Sequence, residues 1–239
     1  MKYPLICTLA CIIITSSLNA HANDNVWFGA IKTSIGDTTI ENISHNNTIG
    51  TGALIGGQID GRIEDTTIDD YTAGFGFAVG RRFGNWSFEA EYVYRYRTDW
   101  DLVAPTPAIQ TITNVFSNVE TNTLMFNLIR RGVINKNWSW ELGGGVGFVS
   151  NDIEADYIER EVPGVTPEMV FKDDTRERNF SYNLLVGVTR TFADKWNFNL
   201  RYRYIDLGEL EAGPFPNRAA RIDGDQTSTE LQFSIERDF

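Results

Sequence analysis

The stretch Ala193–Gly208 reads ADKWNFNLRYRYIDLG, and its side chains alternate in kind. Trp196, Phe198, Leu200, Tyr202 and Tyr204 fall on one parity; Asn197, Asn199, Arg201 and Arg203 fall on the other. Successive side chains of a strand project to opposite faces, so the stretch reads as a strand with one aromatic and one charged face. Two near-copies stand upstream, GNWSFEAEYVYRYR from Gly84 and KNWSWELGGGVGF from Lys136. In all three, a short polar turn leads to a tryptophan (Trp86, Trp138, Trp196) and then to the same alternation. Tryptophans at matched positions on successive strands suit a belt at a membrane interface.

The chain begins with a segment of different character. Lys2 precedes the apolar run Leu5–Ile14, which is too short to span a bilayer as a helix, and Ala20-His21-Ala22 is a small-x-small site. Residues 1–22 are therefore expected to be a cleaved signal peptide, and 23–239 the folded domain. Both cysteines, Cys7 and Cys11, fall in the signal, which leaves the mature chain without a disulfide, a thiol nucleophile or a cysteine metal site. No later run of 18 apolar residues exists, so no transmembrane helix is expected. The formal charge is −11; losing Lys2 leaves 20 basic against 32 acidic residues, near −12. An acidic chain without a basic stripe is a poor partner for nucleic acid.

The pattern divides the chain into eight strands. Their expected bounds are about Val26–Ser34, Asp70–Phe83, Trp86–Arg97, Val119–Arg130, Trp138–Ser150, Phe180–Phe192, Trp196–Leu207 and Gln226–Phe239. Three tight turns alternate with four long polar stretches, 35–69, 98–118, 151–178 and 208–225, expected to be external loops; Pro105 and Pro107 suit a loop better than a central strand. Each strand has at least the roughly 9 to 11 residues that a tilted membrane strand needs. An open sheet would leave two edges and an uncovered aromatic face, whereas a closed barrel in lipid leaves neither. The expected fold is all-β, an eight-stranded antiparallel up-and-down transmembrane β-barrel. With an even strand number, both termini lie on the short-turn, periplasmic side. Trp27, Phe83, Trp86, Trp138, Phe192 and Trp196 then form a periplasmic aromatic girdle.

The motif RYRYIDLG (Arg201–Gly208) and a last strand ending in Phe239, with Leu231, Phe233 and Ile235 spaced by two, resemble the small outer-membrane barrels of Gram-negative bacteria. The resemblance is in particular to the opacity-type, porin-like surface-antigen family with its OmpA-like eight-stranded barrel, and it spans nearly the whole mature chain. It implies an integral protein of the outer membrane whose partners are membrane lipid, lipopolysaccharide and the assembly machinery. That machinery would read Leu231, Phe233, Ile235 and Phe239 as its signal. Arg237 stands on the lipid-facing parity where the pattern often carries an apolar residue.

Small barrels are filled by their own side chains. Glycines on strands 2 and 5 leave room for long charges on strands 3, 5, 7 and 8. The expectation is an interior network of Glu89, Glu91, Arg95, Arg97, Glu141, Arg201, Arg203, Glu230 and Glu236, with Asp238 on the same inward face, paired because ions out of bulk water must be. This favours a plugged barrel with an envelope and surface-interaction role, its loops meeting host or environmental ligands. The alternatives are a narrow porin-like channel and an outer-membrane hydrolase. Hydrolysis is disfavoured because the mature chain keeps a single histidine, His45, in the polar context NISHNNT. No cofactor is expected, and no metal either: Asp60, Glu64, Asp65, Asp69 and Asp70 lack EF-hand spacing. No peptidoglycan anchor is expected after Phe239.

Overall fold

The computed structural model describes residues 25–48, 67–106, 111–161, 169–215 and 219–239. The predicted signal peptide, Pro107 and the acids Asp60, Glu64 and Asp65 lie outside these residues, as does the side chain of His45. Eight strands run in chain order: β1 (Val26–Thr48), β2 (Ile68–Phe83), β3 (Trp86–Thr106), β4 (Thr111–Val133), β5 (Trp138–Glu161), β6 (Met169–Ala193), β7 (Trp196–Ala212) and β8 (Ala219–Asp238). Each pairs antiparallel with its neighbour, and β1 pairs with β8, so the sheet closes into a barrel with no free edge.

The tight turns fall at Gly84-Asn85, 134–137 and Asp194-Lys195, as the polar breaks before the tryptophans require. The strands, however, are 16 to 25 residues long, well beyond what a bilayer needs. Much of the four stretches expected to be loops is strand: β1 continues to Thr48, β5 to Glu161 and β6 begins at Met169. Pro105 also lies within β3, paired with Ile112 near the strand's end. The cause is a reversal of the amphipathic pattern. From Trp138 to Phe148, β5 carries apolar residues outside; eleven residues at about 3.3 Å each, tilted as barrel strands are, give about 25 Å of height. Beyond Phe148 the outward positions are Ser150, Asp152, Glu154 and Asp156, and the inward ones Ile153, Ala155 and Tyr157. The sheet therefore leaves the lipid as a water-facing sheet with an apolar core. Its mixed composition reads as loop only if the apolar face is assumed always to point outward.

Three odd-numbered strands shift phase as they cross this level. Register breaks occur between Glu41 and Ser44 on β1, between Arg95 and Thr98 on β3, and between Asp206 and Gly208 on β7. A β-bulge inserts one unpaired residue and flips the parity of everything after it. Asn42 and Gly208 hold the left-handed conformations that two of these bulges need, with φ of 55° and 79°. On β3 the inward series Glu91, Val93, Arg95 becomes Thr98, Trp100.

Candidate functional site: the barrel interior

From the short-turn end, the bore is first filled by charge. Lys32 Nζ lies 2.5 Å from Glu89 and also contacts Glu91. Arg201 donates from Nε to Glu141 at 2.7 Å and reaches Glu89 at 3.3 Å. Arg203 binds Glu91 and Glu230, and Arg95 joins Glu230. Arg131 bridges Glu141 at 2.7 Å and Glu236 at 3.2 Å; Arg82 binds Glu236 and, at 2.5 Å, Asp238. The result is one continuous web of six cations (Lys32, Arg82, Arg95, Arg131, Arg201, Arg203) and six carboxylates (Glu89, Glu91, Glu141, Glu230, Glu236, Asp238). It carries no net formal charge, the condition under which buried ions are least costly.

Neutral groups add further hydrogen bonds to the carboxylates. Asn127 donates to Glu89 at 3.2 Å, Thr189 to Glu141 at 2.6 Å and Gln232 to Glu91 at 3.2 Å. Asn183 donates to Asn127 at 2.9 Å, so β6, which brings no charge to the web, is tied in by amide and hydroxyl. Each of the six carboxylates is held by at least one cation, which leaves no free general acid or base and no open carboxylate pair for a metal among the described residues of the web.

Eight of the nine residues expected in the network meet there; Arg97 does not. The bulge after Arg95 turns it outward, where it is 44% exposed and pairs loosely with Glu154 at 3.7 Å. It edges an external polar notch of about 220 Å³ with Asp152, Glu154 and Arg176. In the same charged outer sheet, the hydrogen bond to Asp152 raises the Arg176 guanidinium, while burial and nearby Asp99 raise the Asp101 carboxyl. Sequence reading misses Lys32, Arg82 and Arg131, although each lies on its strand's inward parity: Lys32 follows Phe28 and Ala30, Arg82 follows Ala78 and Gly80, and Arg131 follows Asn127 and Ile129.

Close strand approach makes the space for these side chains. A Cβ on Gly187 of β6 would stand 2.5 Å from the Leu200 carbonyl oxygen and 2.8 Å from Arg201 Cγ. Gly187→Ala is expected to destabilise the barrel by about 1–3 kcal/mol through overpacking, read as a lower urea midpoint. An unchanged midpoint would mean that the Arg201 stem has room to move.

Above the charges the filling becomes apolar. Met125, Val149, Ile205 and Leu207 form a first layer. A larger core follows in the part of the barrel beyond the apolar belt, with Ile40, Ile43, Trp100, Val119, Ile153, Tyr157, Leu210 and Phe215 all almost fully buried. Tyr157 and Phe215 pack with ring centroids 4.9 Å apart. A polar collar divides the two layers: Thr121 donates to Asn151 at 2.8 Å, and Thr38 to Ser228 at 3.1 Å.

The outer surface follows the expected parity. Trp27, Phe83, Trp86, Trp138, Phe192 and Trp196 all face outward at the short-turn end, 37% to 57% exposed. On β8, Ile235 is exposed and Leu231 and Phe233 are half-buried on the same face, and Phe239, just past the strand's end, is exposed. A closed barrel with a continuous apolar belt outside and paired ions inside defines the class of transmembrane β-barrels.

Comparison with known proteins gives the family. The model of the outer membrane protein beta-barrel domain matches residues 7–239, and the chain belongs to that family. Its fold is similar to OprG from Pseudomonas aeruginosa (13% identity, 87% of this chain and 95% of that one, TM-score 0.50). It is also similar to AlkL (15%, 92% and 93%, 0.47) and to Neisserial surface protein A (13%, 89% and 97%, 0.41). No curated protein matches the chain. Membership places the protein in the outer membrane of a Gram-negative envelope.

Proposed function

We propose that this barrel is a non-enzymatic, non-conducting surface protein. Its interior is a structural plug, and its working surface is the charged sheet and the connections that extend beyond the membrane. The short turns, the aromatic girdle and both ends of the described barrel then lie on the periplasmic side, with Leu231, Phe233, Ile235 and Phe239 as the segment read during assembly. A shared fold does not decide function in barrels of this kind, so the reading rests on the site.

The observation that carries it is the apolar core around Trp100, Tyr157 and Phe215, stacked above the ion web. A channel reading needs a wet path. An ion that found a way through the charges would still have to pass a layer of buried apolar side chains, which offers little to replace its hydration. The closed bore leaves the exterior as the place where recognition occurs.

Ion conductance of the refolded chain in a planar bilayer tests this. The expected result is silence, with a heat-modifiable gel shift showing that the barrel has folded. Discrete steps whose size changes in Arg95→Ala or Arg201→Ala would overturn the plug in favour of a narrow porin-like path.

A further inference from the structure

At the short-turn end, each odd strand opens with an outward tryptophan, and the neighbouring even strand sets an arginine directly opposite it. The register pairs Trp27 with Arg81, Trp86 with Arg130, Trp138 with Arg190 and Trp196 with Arg237. In every pair the guanidinium lies over the indole, 5.4 to 5.7 Å from the ring centroid. Arg237, out of place as a lipid-facing residue in isolation, is one of four equivalent positions repeated every two strands around the circumference.

The two rings of arginines differ in their partners. Inside, each arginine of the web has a carboxylate partner. Outside, none of Arg81, Arg130, Arg190 and Arg237 makes an ion pair among the described residues. Stacking on an indole fixes a guanidinium plane and leaves its edge donors free. Four such cations at the edge of an apolar belt, with no ion pair among the described residues, are open to anions from outside the chain.

Two of the pairs stand at the end of external grooves. One, of about 700 Å³, runs from Trp196 and Arg237 past Gly29, Thr33, Phe233 and Ile235. The other, of about 540 Å³, runs from Trp27 and Arg81 past Val79, Phe88 and Ala90. The small outward residues Gly29, Thr33 and Ala90 make the depressions. Neither groove is lined by Asp or Glu, so nothing there would pair with the ammonium of a zwitterionic headgroup.

From this we infer that the ring is a binding collar for anionic glycerophospholipid: the phosphodiester accepts from the guanidinium edge, the indole sits at headgroup depth, and an acyl chain lies in the groove. The inference rests on the membrane-embedded reading above and names the lipid that the short-turn end selects.

The test uses the full refolded chain in phosphatidylcholine vesicles with an increasing share of bromine-labelled phosphatidylglycerol. Quenching of tryptophan fluorescence gives the affinity of the anionic lipid relative to phosphatidylcholine. Trp100, inside the outer core, is shielded and contributes a constant background. The expected ratio is about 5, the gain that one basic residue near an anionic surface provides. Arg81→Gln, Arg130→Gln, Arg190→Gln and Arg237→Gln together should bring it close to 1. Arg221→Gln, paired with Glu211 far from the collar, should leave it unchanged. Should the quadruple variant fail to show the gel shift of a folded barrel, the wild type decides alone: about 1 M salt should lower its ratio toward 1. A wild-type ratio near 1, a ratio that survives in the folded quadruple variant, or one indifferent to salt overturns the collar. Channel activity would overturn the plug and leave this result standing, so the two failures are distinguishable.

Discussion

Arg201→Ala is expected to lower the urea unfolding midpoint sharply, with a loss of about 3–5 kcal/mol. Arg201 is fully buried, and it holds Glu141 at 2.7 Å and Glu89 at 3.3 Å. Its removal turns a balanced web of six cations and six carboxylates into one with an excess negative charge far from water. Two glutamates would lose a partner at once, and each keeps only one other cation, Arg131 for Glu141 and Lys32 for Glu89. The penalty comes from the uncompensated ions left behind rather than from the lost attraction alone. Arg97→Ala is the matched control. Arg97 points away from the web, is well exposed and pairs only loosely with Glu154, so its effect should stay below about 1 kcal/mol. Equal midpoints for Arg201→Ala and the wild type would mean that water already reaches the web.

Trp100→Ala carries the second large effect, about 3–5 kcal/mol, from the void that its indole would leave in a layer without exposed surface. The consequence is local as well as global. The membrane-embedded half keeps its ion web, its lipid-facing belt and its gel shift, while the outer sheet loses the largest buried side chain of the core that β3 shares with β1, β4, β5 and β7. Limited proteolysis of the chain in vesicles should therefore cut the outer strands of Trp100→Ala much faster than those of the wild type. An unchanged cleavage pattern and midpoint would show that the outer sheet stands without its core.

The membrane-embedded half was legible from the chain because lipid imposes a local rule. Every second residue must be apolar, and the tryptophans that open β3, β5 and β7 mark where that rule begins. The alternation of Trp196–Tyr204 alone determined a strand, its two faces and the charge of its inner one. The same rule held for most of the inner residues, and parity would also have found Lys32, Arg82 and Arg131.

What parity could not supply lies beyond the bulges. Arg95 and Arg97 are two residues apart and read alike, yet one is buried in the web and the other is at the surface, because the register breaks after Arg95. Such a break is set by the strand opposite, which no local pattern contains. The same holds for the partners of each ion. Glu89 meets Arg201 across 112 residues of sequence, and only the closure of β1 on β8 brings their strands to facing walls of one bore. The sequence by itself determined the membrane strands, the face each turns outward and the polarity of the interior, since each follows from what a single residue's neighbours along the chain must touch. The tertiary structure alone decided that the sheet continues above the membrane with its faces exchanged, that an apolar core lies inside that part, and which charges neutralise one another. Those properties depend on the summed register of eight strands, and that sum is defined only once the barrel has closed.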